Sequence, residues 1–403
     1  MHMTAQCQIV KRIKIRFQKN TSNFIIYMLQ CKNLFMEEKM KKVISILLVL
    51  AVLVLAVGCK KENKANDEKL TAETIKVGFV FIGSINDEGY TQAHDKGRLA
   101  LNEMGIQTAY VENVPENADC EKAIRDLIDQ GCNVIYTNSF GFMDWTIKVA
   151  SEFPNVIFGH CSGYKTAANV STYFGKIYQA RYLAGIAAGL RTANGKIGYV
   201  AAMQIPEVIR GINAFTLGAL SVNPEATVEV IWTNTWYDPA VEKQAALELL
   251  NKGCDVIAQH QDTTAPQIAA QEKGVYAIGY NTSTPNAAPK AYMTAPLFHW
   301  DVFYVEDVNE ILAGTWTSRA YWKGFENGTV SLDILTENCV PGTAEAIALI
   351  KEAFKNGSFE PFTGPLFDQN GNEKVAAGVK MTDEEIWNIG WFVKGVIGNA
   401  SSR

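Results

Sequence analysis

Metal-binding and disulfide-forming patterns are missing from this sequence of 403 residues. Its eight cysteines include no C-x-x-C pair, and its five histidines are scattered along the chain. A structural zinc site needs Cys and His ligands at short spacings, and a disulfide framework needs an even set of cysteines, whereas an odd number, five, follows Cys59. We therefore predict neither a metal site nor a disulfide framework, and nothing in the sequence calls for a cofactor. Whether Cys120 and Cys132 pair stays open.

Positive charge is also scarce once the first 58 residues are set aside. Residues 59–403 carry 28 Lys and Arg against 40 Asp and Glu, a net charge of −12. Proteins that bind nucleic acid need basic surfaces to neutralise phosphates. We therefore predict that the body of the chain does not bind nucleic acid.

Apolar runs long enough to cross a membrane comfortably are missing too, since a spanning helix needs about 20 residues. The longest run follows Met40 in "MKKVISILLVLAVLVLAVGC", where lysines come first and small residues precede Cys59. This order is typical of a signal peptide. The "AVGC" ending resembles a bacterial lipoprotein signal, which implies cleavage before Cys59, lipidation of that cysteine and attachment to the extracytoplasmic side of the cell membrane.

The segments beside this signal differ from the rest of the chain. Residues 1–39 are basic and show no sustained period. We interpret them as a spurious extension upstream of the true start codon, with a nucleic-acid-binding arm as the alternative. The signal peptide is residues 40–58. Residues 59–73 are charged and poor in large apolar side chains, so we expect a flexible tether.

From Lys76 onward, short β-branched runs such as "IKVGFVFI" and "CNVIYTNS" alternate with longer helical patterns. One of these, a Gly- and Ala-rich helix, is predicted over residues 177–190. The alternation predicts an α/β fold of parallel sheets flanked by helices, and the length of the chain predicts two lobes.

We place the first α/β lobe at residues 74–192 and the second at 193–315. A C-terminal segment, residues 316–403, is expected to cross back and pack on the lobes. Its "DEEIWNIGWFVKGVIG" stretch, residues 383–398, indicates a closing amphipathic helix. The linkers between these segments are the hinge candidates.

The turns that follow the predicted strands share a distinctive composition. They are "SINDEGY", "NSFGFMDW", "MQIPE", "NTWYDP", "QHQDTTAP" and "YNTSTPN". Ligands of parallel sheets bind at the carboxyl ends of the strands, where these turns lie. The turns are rich in aromatic and short polar residues and contain no Lys or Arg, so a neutral flat ligand fits them better than a phosphate does.

The same turns resemble those of the basic membrane protein family, which are ABC-transporter substrate-binding lipoproteins with a type I periplasmic-binding-protein fold. The resemblance covers residues 74–330 and is carried by "INDEGYTQAHDKG", "TNSFGFMDWTIKVASEFPNVIF", "IPEVIRGINAFTLGALSVNP" and "VIWTNTWYDP". It is strongest to the branch associated with adenine. It implies a purine ligand, permease and ATPase partners, and no enzymatic activity.

The resemblance also implies ligand-binding residues. Nucleoside binders of the family carry an acid and a stacking Phe at the first turn, which Asp87 and Tyr90 match here. Phe140 falls at a second aromatic position, and Trp236 replaces a further Phe. The Asp expected after the fourth strand of the second lobe is Asn281, and a Lys expected near "MTAPLFHW" is missing. Both departures argue against ribose.

Two further acidic residues have a structural and a functional interpretation. Asp262 is either an N-cap of the following helix or a ligand contact. Glu207 follows Pro206, where the first turn of a helix favours a carboxylate, and it is also a ligand candidate. A carboxylate can accept the N6 hydrogen of adenine and an amide can pair with N6 and N7, roles for which Asp87, Asp262 and Asn281 are the candidates.

These features together predict a membrane-anchored, monomeric binding protein of an ABC importer that closes around a purine base, adenine above others. A purine nucleoside is the alternative ligand. An anchored nucleosidase or esterase is the alternative of another class, because "GHCSG", Gly159–Gly163, mimics the nucleophile elbow of hydrolases. That elbow needs a helix after it, and the sequence after Gly163 is strand-like or loop-like. A sensor of the same fold would need an output domain.

Removing the lipidation site tests the predicted anchor. We expect Cys59→Ala to leave an uncleaved or soluble protein, because more than one acyl chain on that cysteine is needed for stable anchoring. Membrane and soluble fractions of expressing cells, probed for the protein, make the measurement. The same partition for Cys59→Ala and the unchanged protein would contradict the anchor.

Overall fold

The computed structural model describes residues 70–400, and all structural statements below concern that part of the chain. The described residues belong to one compact unit. The predicted N-terminal extension, the signal peptide, Cys59 and nearly all of the tether lie outside the described residues, so the predictions about them stay predictions.

Two parallel sheets organise the molecule. The first contains β1 (Lys76–Val80), β2 (Gln107–Val111), β3 (Val134–Thr137), β4 (Ile157–Cys161), β5 (Val170–Gly175) and β12 (Ala320–Lys323). The second contains β6 (Lys196–Ala201), β7 (Thr227–Trp232), β8 (Val256–His260), β9 (Tyr276–Ile278), β10 (Tyr292–Thr294) and β16 (Val396–Ile397). Short antiparallel pairs are formed by β11 (Pro296–Phe298) with β13 (Val330–Leu332) and by β14 (Leu366–Phe367) with β15 (Glu373–Val375).

Five strands of each sheet follow the same order, and the sixth strand, β12 or β16, joins the two sheets at opposite edges. The full order is β2-β1-β3-β4-β5-β12 in the first and β16-β7-β6-β8-β9-β10 in the second, and neighbouring strands run parallel. The inner strands β3 and β8 are buried along their whole length, and each begins with the apolar pair Val-Ile. The predicted α/β fold of two parallel sheets flanked by helices is confirmed.

Helices cover the sheets and connect the strands. They are α1 (Tyr90–Glu103), α2 (Ala118–Asp129), α3 (Met143–Glu152), α4 (Ile177–Arg191), α5 (Pro206–Val222), α6 (Pro239–Asn251), α7 (Ala265–Glu272), α8 (Trp300–Ala313), α9 (Thr343–Lys355) and α10 (Asp383–Trp387). None of the helices described is long and apolar enough to cross a membrane.

The Gly- and Ala-rich helix α4 packs directly on α5. A Cβ atom added to Gly185 would lie 2.0 Å from the carbonyl oxygen of Phe215, and one added to Gly218 would lie 2.0 Å from that of Tyr182. Only glycine allows two helix backbones to approach so closely. The small residues of this segment therefore serve helix packing within the second lobe.

The chain crosses between the lobes at other points than the sequence suggested. Because α4 packs on α5, the first crossing lies between Gly175 and Ile177 instead of at residue 192. Because α8 packs on α1 of the first lobe, the return lies between Phe298 and Trp300 instead of after residue 315. An amphipathic pattern identifies a helix but does not say which of two sheets the helix covers.

The C-terminal segment contributes a strand to each sheet, with β12 beside β5 and β16 beside β7. The closing helix predicted over residues 383–398 is wrong beyond Trp387, where α10 ends. Gly395 has a φ of +97°, which breaks helical geometry, and its carbonyl accepts a hydrogen bond from the Val228 N–H at 2.9 Å. The open edge of the second sheet thus takes up this stretch as a strand.

Candidate functional site

A cleft lies between the carboxyl ends of the two sheets. The first lobe lines it with Ile82, Tyr90, Asn138, Ser139, Phe140 and Ser162, and the second with Glu207, Trp236, His260, Asp262 and Tyr280. These residues lie at or shortly after strand ends, or at the start of the helix that follows. The topology therefore gathers them from distant parts of the sequence into one site.

The three aromatic residues predicted from the sequence border the cleft, Tyr90 and Phe140 from the first lobe and Trp236 from the second, and Tyr280 of the second lobe joins them. The Tyr90 hydroxyl donates to the carbonyl oxygen of Asn138 at 2.6 Å, which fixes the orientation of its ring. The Tyr90 ring also meets the imidazole of His94 edge-on at a centroid distance of 4.5 Å. Aromatic surfaces held in this way favour a flat ligand, at about 0.5–1.5 kcal/mol for each stacked pair beyond area burial.

Two hydrogen-bond donors of the cleft are left without a partner. The Asn138 Oδ1 atom accepts from the Ile82 N–H at 2.9 Å, which turns the amide nitrogen away from that strand. Neither the Asn138 Nδ2 atom nor the Trp236 Nε1 atom, both buried, has a protein acceptor within residues 70–400. A buried unsatisfied donor costs about 1–3 kcal/mol. A ligand with acceptor atoms would recover that cost.

Glu207 supplies a carboxyl to the cleft from the first turn of α5. Its Oε1 atom lies 3.5 Å from Nε2 of His260. Burial raises the pKa of Glu207 to about 7, while Arg210 and Arg181 act in the opposite direction. Burial also lowers the pKa of His260 well below its ordinary value, so this imidazole is neutral at pH 7.

The two arginines behind Glu207 were not predicted as part of the site. The Arg181 guanidinium lies 3.8 Å from the centroid of the Tyr280 ring and donates to the carbonyl oxygen of Gln259 at 2.8 Å. Burial lowers the pKa of Arg210 to about 10, a value at which it stays charged at neutral pH. Both residues project from helices, whereas the sequence pattern that predicts the site lies in the turns after strands.

Asp87 was predicted as a ligand contact, but it lies outside the lining of the cleft. Its carboxylate accepts hydrogen bonds from the N–H groups of Gly89, Thr91 and Gln92 at 2.8–2.9 Å. Burial raises the pKa of Asp87, and these donors oppose the rise. The negative charge of this turn therefore caps the N-terminus of α1, where a phosphate-binding turn would use the same donors for its ligand.

Asn281 also lies outside the lining of the cleft, behind Asp262. The residue is buried, and its Nδ2 atom donates to Oδ1 of Asp262 at 3.2 Å. Asp262 itself borders the cleft and does not cap a helix, because α7 begins after Thr264 and receives no side-chain cap. Of the seven predicted ligand residues, the structure thus brings five to the cleft and leaves Asp87 and Asn281 in supporting positions.

Other residues of the cleft went unselected, although their turns were recognised. Asn138, Ser139, His260 and Tyr280 stand in the turns "NSFGFMDW", "QHQDTTAP" and "YNTSTPN", and Ser162 stands in "GHCSG" after β4. Their position at strand ends was the available signal. A turn offers several polar side chains, and the sequence alone does not say which of them point into the cleft.

The elbow-like motif "GHCSG" lacks the geometry of a nucleophile. The strand β4 ends at Cys161 and is followed by a loop and the strand β5, whereas a nucleophile elbow leads into a helix. Burial raises the pKa of the Cys161 thiol well above its ordinary value, and its sulfur lies 3.2 Å from the Tyr90 hydroxyl. Cys161 is thus a small buried side chain behind the cleft. Cys120 and Cys132 are both free thiols.

The two lobes touch beside the cleft. A Cβ atom added to Gly89 of the first lobe would lie 2.3 Å from the carbonyl oxygen of Asp262 in the second. The Thr282 hydroxyl donates to the carbonyl oxygen of Glu88 at 2.7 Å, and the Thr264 hydroxyl lies 3.4 Å from a Glu88 carboxylate oxygen. We call these five residues the interlobe seam. Their contacts define a closed arrangement of the lobes.

Comparison with known proteins agrees with this geometry. The profile of a family described as "ABC transporter substrate-binding protein PnrA-like", named Bmp, matches residues 74–355. The chain is 40% identical over 328 residues to a purine-binding protein of Brucella abortus, an alignment that covers 80% of this chain and 93% of that protein. It is 39% identical over 332 residues to a Haloferax volcanii protein whose name assigns it to glucose binding in an ABC transporter, with 82% of each chain covered.

A solved structure shares the fold. The solute-binding protein of an ABC transporter from Aeropyrum pernix superposes with a TM-score of 0.63 at 18% identity, and the match covers 71% of this chain and 92% of that one. At this level of identity the likeness shows the fold alone.

The capping role of Asp87 predicts a loss of stability without ligand. Asp87→Ala deprives three N–H groups of their acceptor, and we expect the free energy of unfolding to fall by about 1–3 kcal/mol. Urea unfolding followed by circular dichroism measures it. Asp144→Ala, which removes an exposed acid paired with Lys165, is the control and should change it by less than about 1 kcal/mol. Equal unfolding midpoints for Asp87→Ala and the control would refute the capping role.

Proposed function

Because this chain belongs to the Bmp family of PnrA-like ABC transporter substrate-binding proteins, we propose that it binds a purine base, adenine above others, in the cleft between its lobes. Proteins of this class deliver a small molecule to a membrane permease and its ATPase. Their work is binding and closure, and the relatives described above are solute-binding proteins. No covalent step is part of the proposal.

The observation that carries the proposal is the combination of flat aromatic walls with a mixed set of polar groups. A purine is planar and uncharged, and its edge alternates ring nitrogens that accept hydrogen bonds with N–H groups that donate them. Tyr90, Phe140 and Trp236 can stack on its faces. The unpartnered donors of Asn138 and Trp236 and the carboxyl of Glu207 suit its edge. The name of the Brucella abortus relative supports the same ligand class.

The carboxyl groups of the cleft and the lack of Lys and Arg among the described residues that line it argue against a nucleotide. Glu207 and Asp262 border the space, and neither Lys nor Arg is among the described residues that line it. Arg181 and Arg210 lie behind Glu207 and serve to balance its charge. A phosphate would meet carboxyl groups without a cation in contact, which is unfavourable in a site shielded from water.

The contact of Asn281 argues for the base over the nucleoside. In the nucleoside binders that the sequence resembles, an Asp at this position belongs to the sugar site. Here the Asn281 amide is bonded to Asp262 and does not line the cleft. The Lys of the sugar site is missing from the sequence as well.

The location of the protein is part of the proposal. The signal-like segment ending at Cys59 supports a monomer tethered to the extracytoplasmic face of a bacterial membrane, with residues 59–73 as the spacer. Such a tether would keep the binding body within reach of its permease.

Calorimetry of the purified protein tests the ligand. We expect adenine to bind at least about tenfold more tightly than adenosine, guanine, hypoxanthine or glucose, because mismatched polar groups cost about 1–3 kcal/mol each. Ligand that copurifies should first be removed by partial unfolding and refolding. Adenosine binding tenfold more tightly than adenine would establish the nucleoside alternative. Binding of glucose without any purine would overturn the proposal altogether.

The interlobe seam predicts how closure can be blocked without altering the cleft lining. We expect Gly89→Ala to weaken adenine binding by at least about tenfold, because its Cβ would collide with the Asp262 carbonyl only when the lobes are closed. The free variant should keep its thermal midpoint. Gly390→Ala is the control, since nothing lies within 4 Å of the added Cβ. Equal adenine affinity in both variants would show that closure is not needed.

A further inference from the structure

Asp262 borders the cleft, and only one of its carboxyl oxygens has a protein partner in the described part of the chain. Its Oδ1 atom accepts from Nδ2 of Asn281 at 3.2 Å, whereas Oδ2 has no protein partner within residues 70–400. The side chain is buried, and its backbone carbonyl lies against Gly89 in the interlobe seam. The position of this carboxyl is therefore fixed from both lobes.

Acidic groups on three different elements face Asp262. Asp87 lies in the first-lobe turn, Glu207 on α5 and Glu242 on α6, and burial together with these neighbours raises the pKa of Asp262 well above its ordinary value. The Tyr280 phenol after β9 also faces it. None of the ion pairs found in the described part of the chain includes Asp262. A carboxylate buried without a cation is costly, which favours the protonated form of this group.

Two of these neighbouring acids accept more hydrogen bonds than Asp262 does, and those bonds stabilise their ionised forms. Asp87 receives three backbone N–H groups, and Glu242 accepts from the backbone of Asp238 and from the Thr263 hydroxyl. Asp262 has a single amide donor. That donor also decides where the proton resides, because the oxygen that accepts from Asn281 is the carbonyl-like one. The hydroxyl of the neutral acid is then Oδ2, at the cleft.

We propose that Asn281 positions Asp262 as a neutral acid whose free oxygen donates a hydrogen bond to an unprotonated ring nitrogen of the bound purine. This inference rests on the proposed function. Adenine with its hydrogen on N9 offers such nitrogens at positions 1, 3 and 7. Asp262 is then a specificity-determining residue, and Asn281 is a positioning residue that does not touch the ligand.

The choice of Asn at position 281 follows from this arrangement. Its φ of +68° and the hydrogen bond from its N–H to the Pro296 carbonyl at 3.1 Å hold the residue in place. An Asp here would set two carboxyls about one hydrogen bond apart, and they would compete for the proton. The amide supplies a donor without joining that competition.

Two substitutions of Asp262 test the proposal by adenine calorimetry at neutral pH. Asp262→Asn keeps an oxygen for Asn281 and an N–H for the ligand, so its affinity should stay within about threefold of the unchanged protein. Asp262→Leu keeps similar bulk without a donor and should lose roughly 5- to 150-fold. If Asp262→Asn loses as much as Asp262→Leu, Asp262 acts as an acceptor and the proposal is overturned.

The pH dependence gives a second readout. A group with a raised pKa loses its proton as the pH rises, so the unchanged protein should lose adenine affinity in alkaline solution relative to Asp262→Asn. Glu207 titrates in both proteins, and the ratio of their dissociation constants cancels its effect. A ratio that stays constant from neutral to alkaline pH would contradict a neutral Asp262.

Deaza analogues, in which C–H replaces one ring nitrogen, identify the partner atom. One of 1-, 3- and 7-deazaadenine should bind the unchanged protein at least about fivefold more weakly than adenine, and the difference should vanish in Asp262→Leu and shrink in Asn281→Leu. Equal binding of all three analogues and adenine would refute the contact. If the unchanged protein binds no purine base at all, the proposed function fails; if it binds adenine and these outcomes are reversed, only this inference fails.

Discussion

The parallel arrangement of the strands is the constraint on which the rest of this structure depends. Each strand is followed by a connection that returns along the face of the sheet, so that all strands of a sheet end at one edge. The carboxyl edges of the two sheets border one cleft. Turns separated by up to two hundred residues in sequence thereby form a single cleft, and Tyr90 and Tyr280 line the same space.

Closing such a cleft removes ionisable groups from water, and three buried carboxyl groups are compensated in three different ways. Asp87 is satisfied by backbone donors at a helix N-terminus. Glu207 is balanced by Arg181 and Arg210 from neighbouring helices. Asp262 has one amide partner and no cation. The three carboxyls therefore differ in how their charge is compensated and in what they can offer a ligand, although each is an acid after a strand.

Some parts of the site could be predicted from the sequence and others could not. Phe140, Trp236 and Tyr90 were found because aromatic residues at strand ends are distinctive in type and in place. Asp87 and Asn281 stand in the same turns, but their side chains are used by neighbouring backbone and by Asp262. Residue type and position in a turn do not determine the direction of a side chain.

The sequence by itself determined the α/β class, the parallel sheets and the turns that hold the site, because hydrophobic periodicity and strand-end composition are local properties. Only the tertiary structure decided that α4 covers the second lobe, that α8 covers the first, and that residues 396–397 join a sheet instead of extending a helix. It also decided which carboxyl faces the cleft. These outcomes depend on contacts between segments far apart in the chain, such as Gly185 against Phe215 and Asn281 against Asp262. A local sequence pattern does not specify which distant segment it will contact.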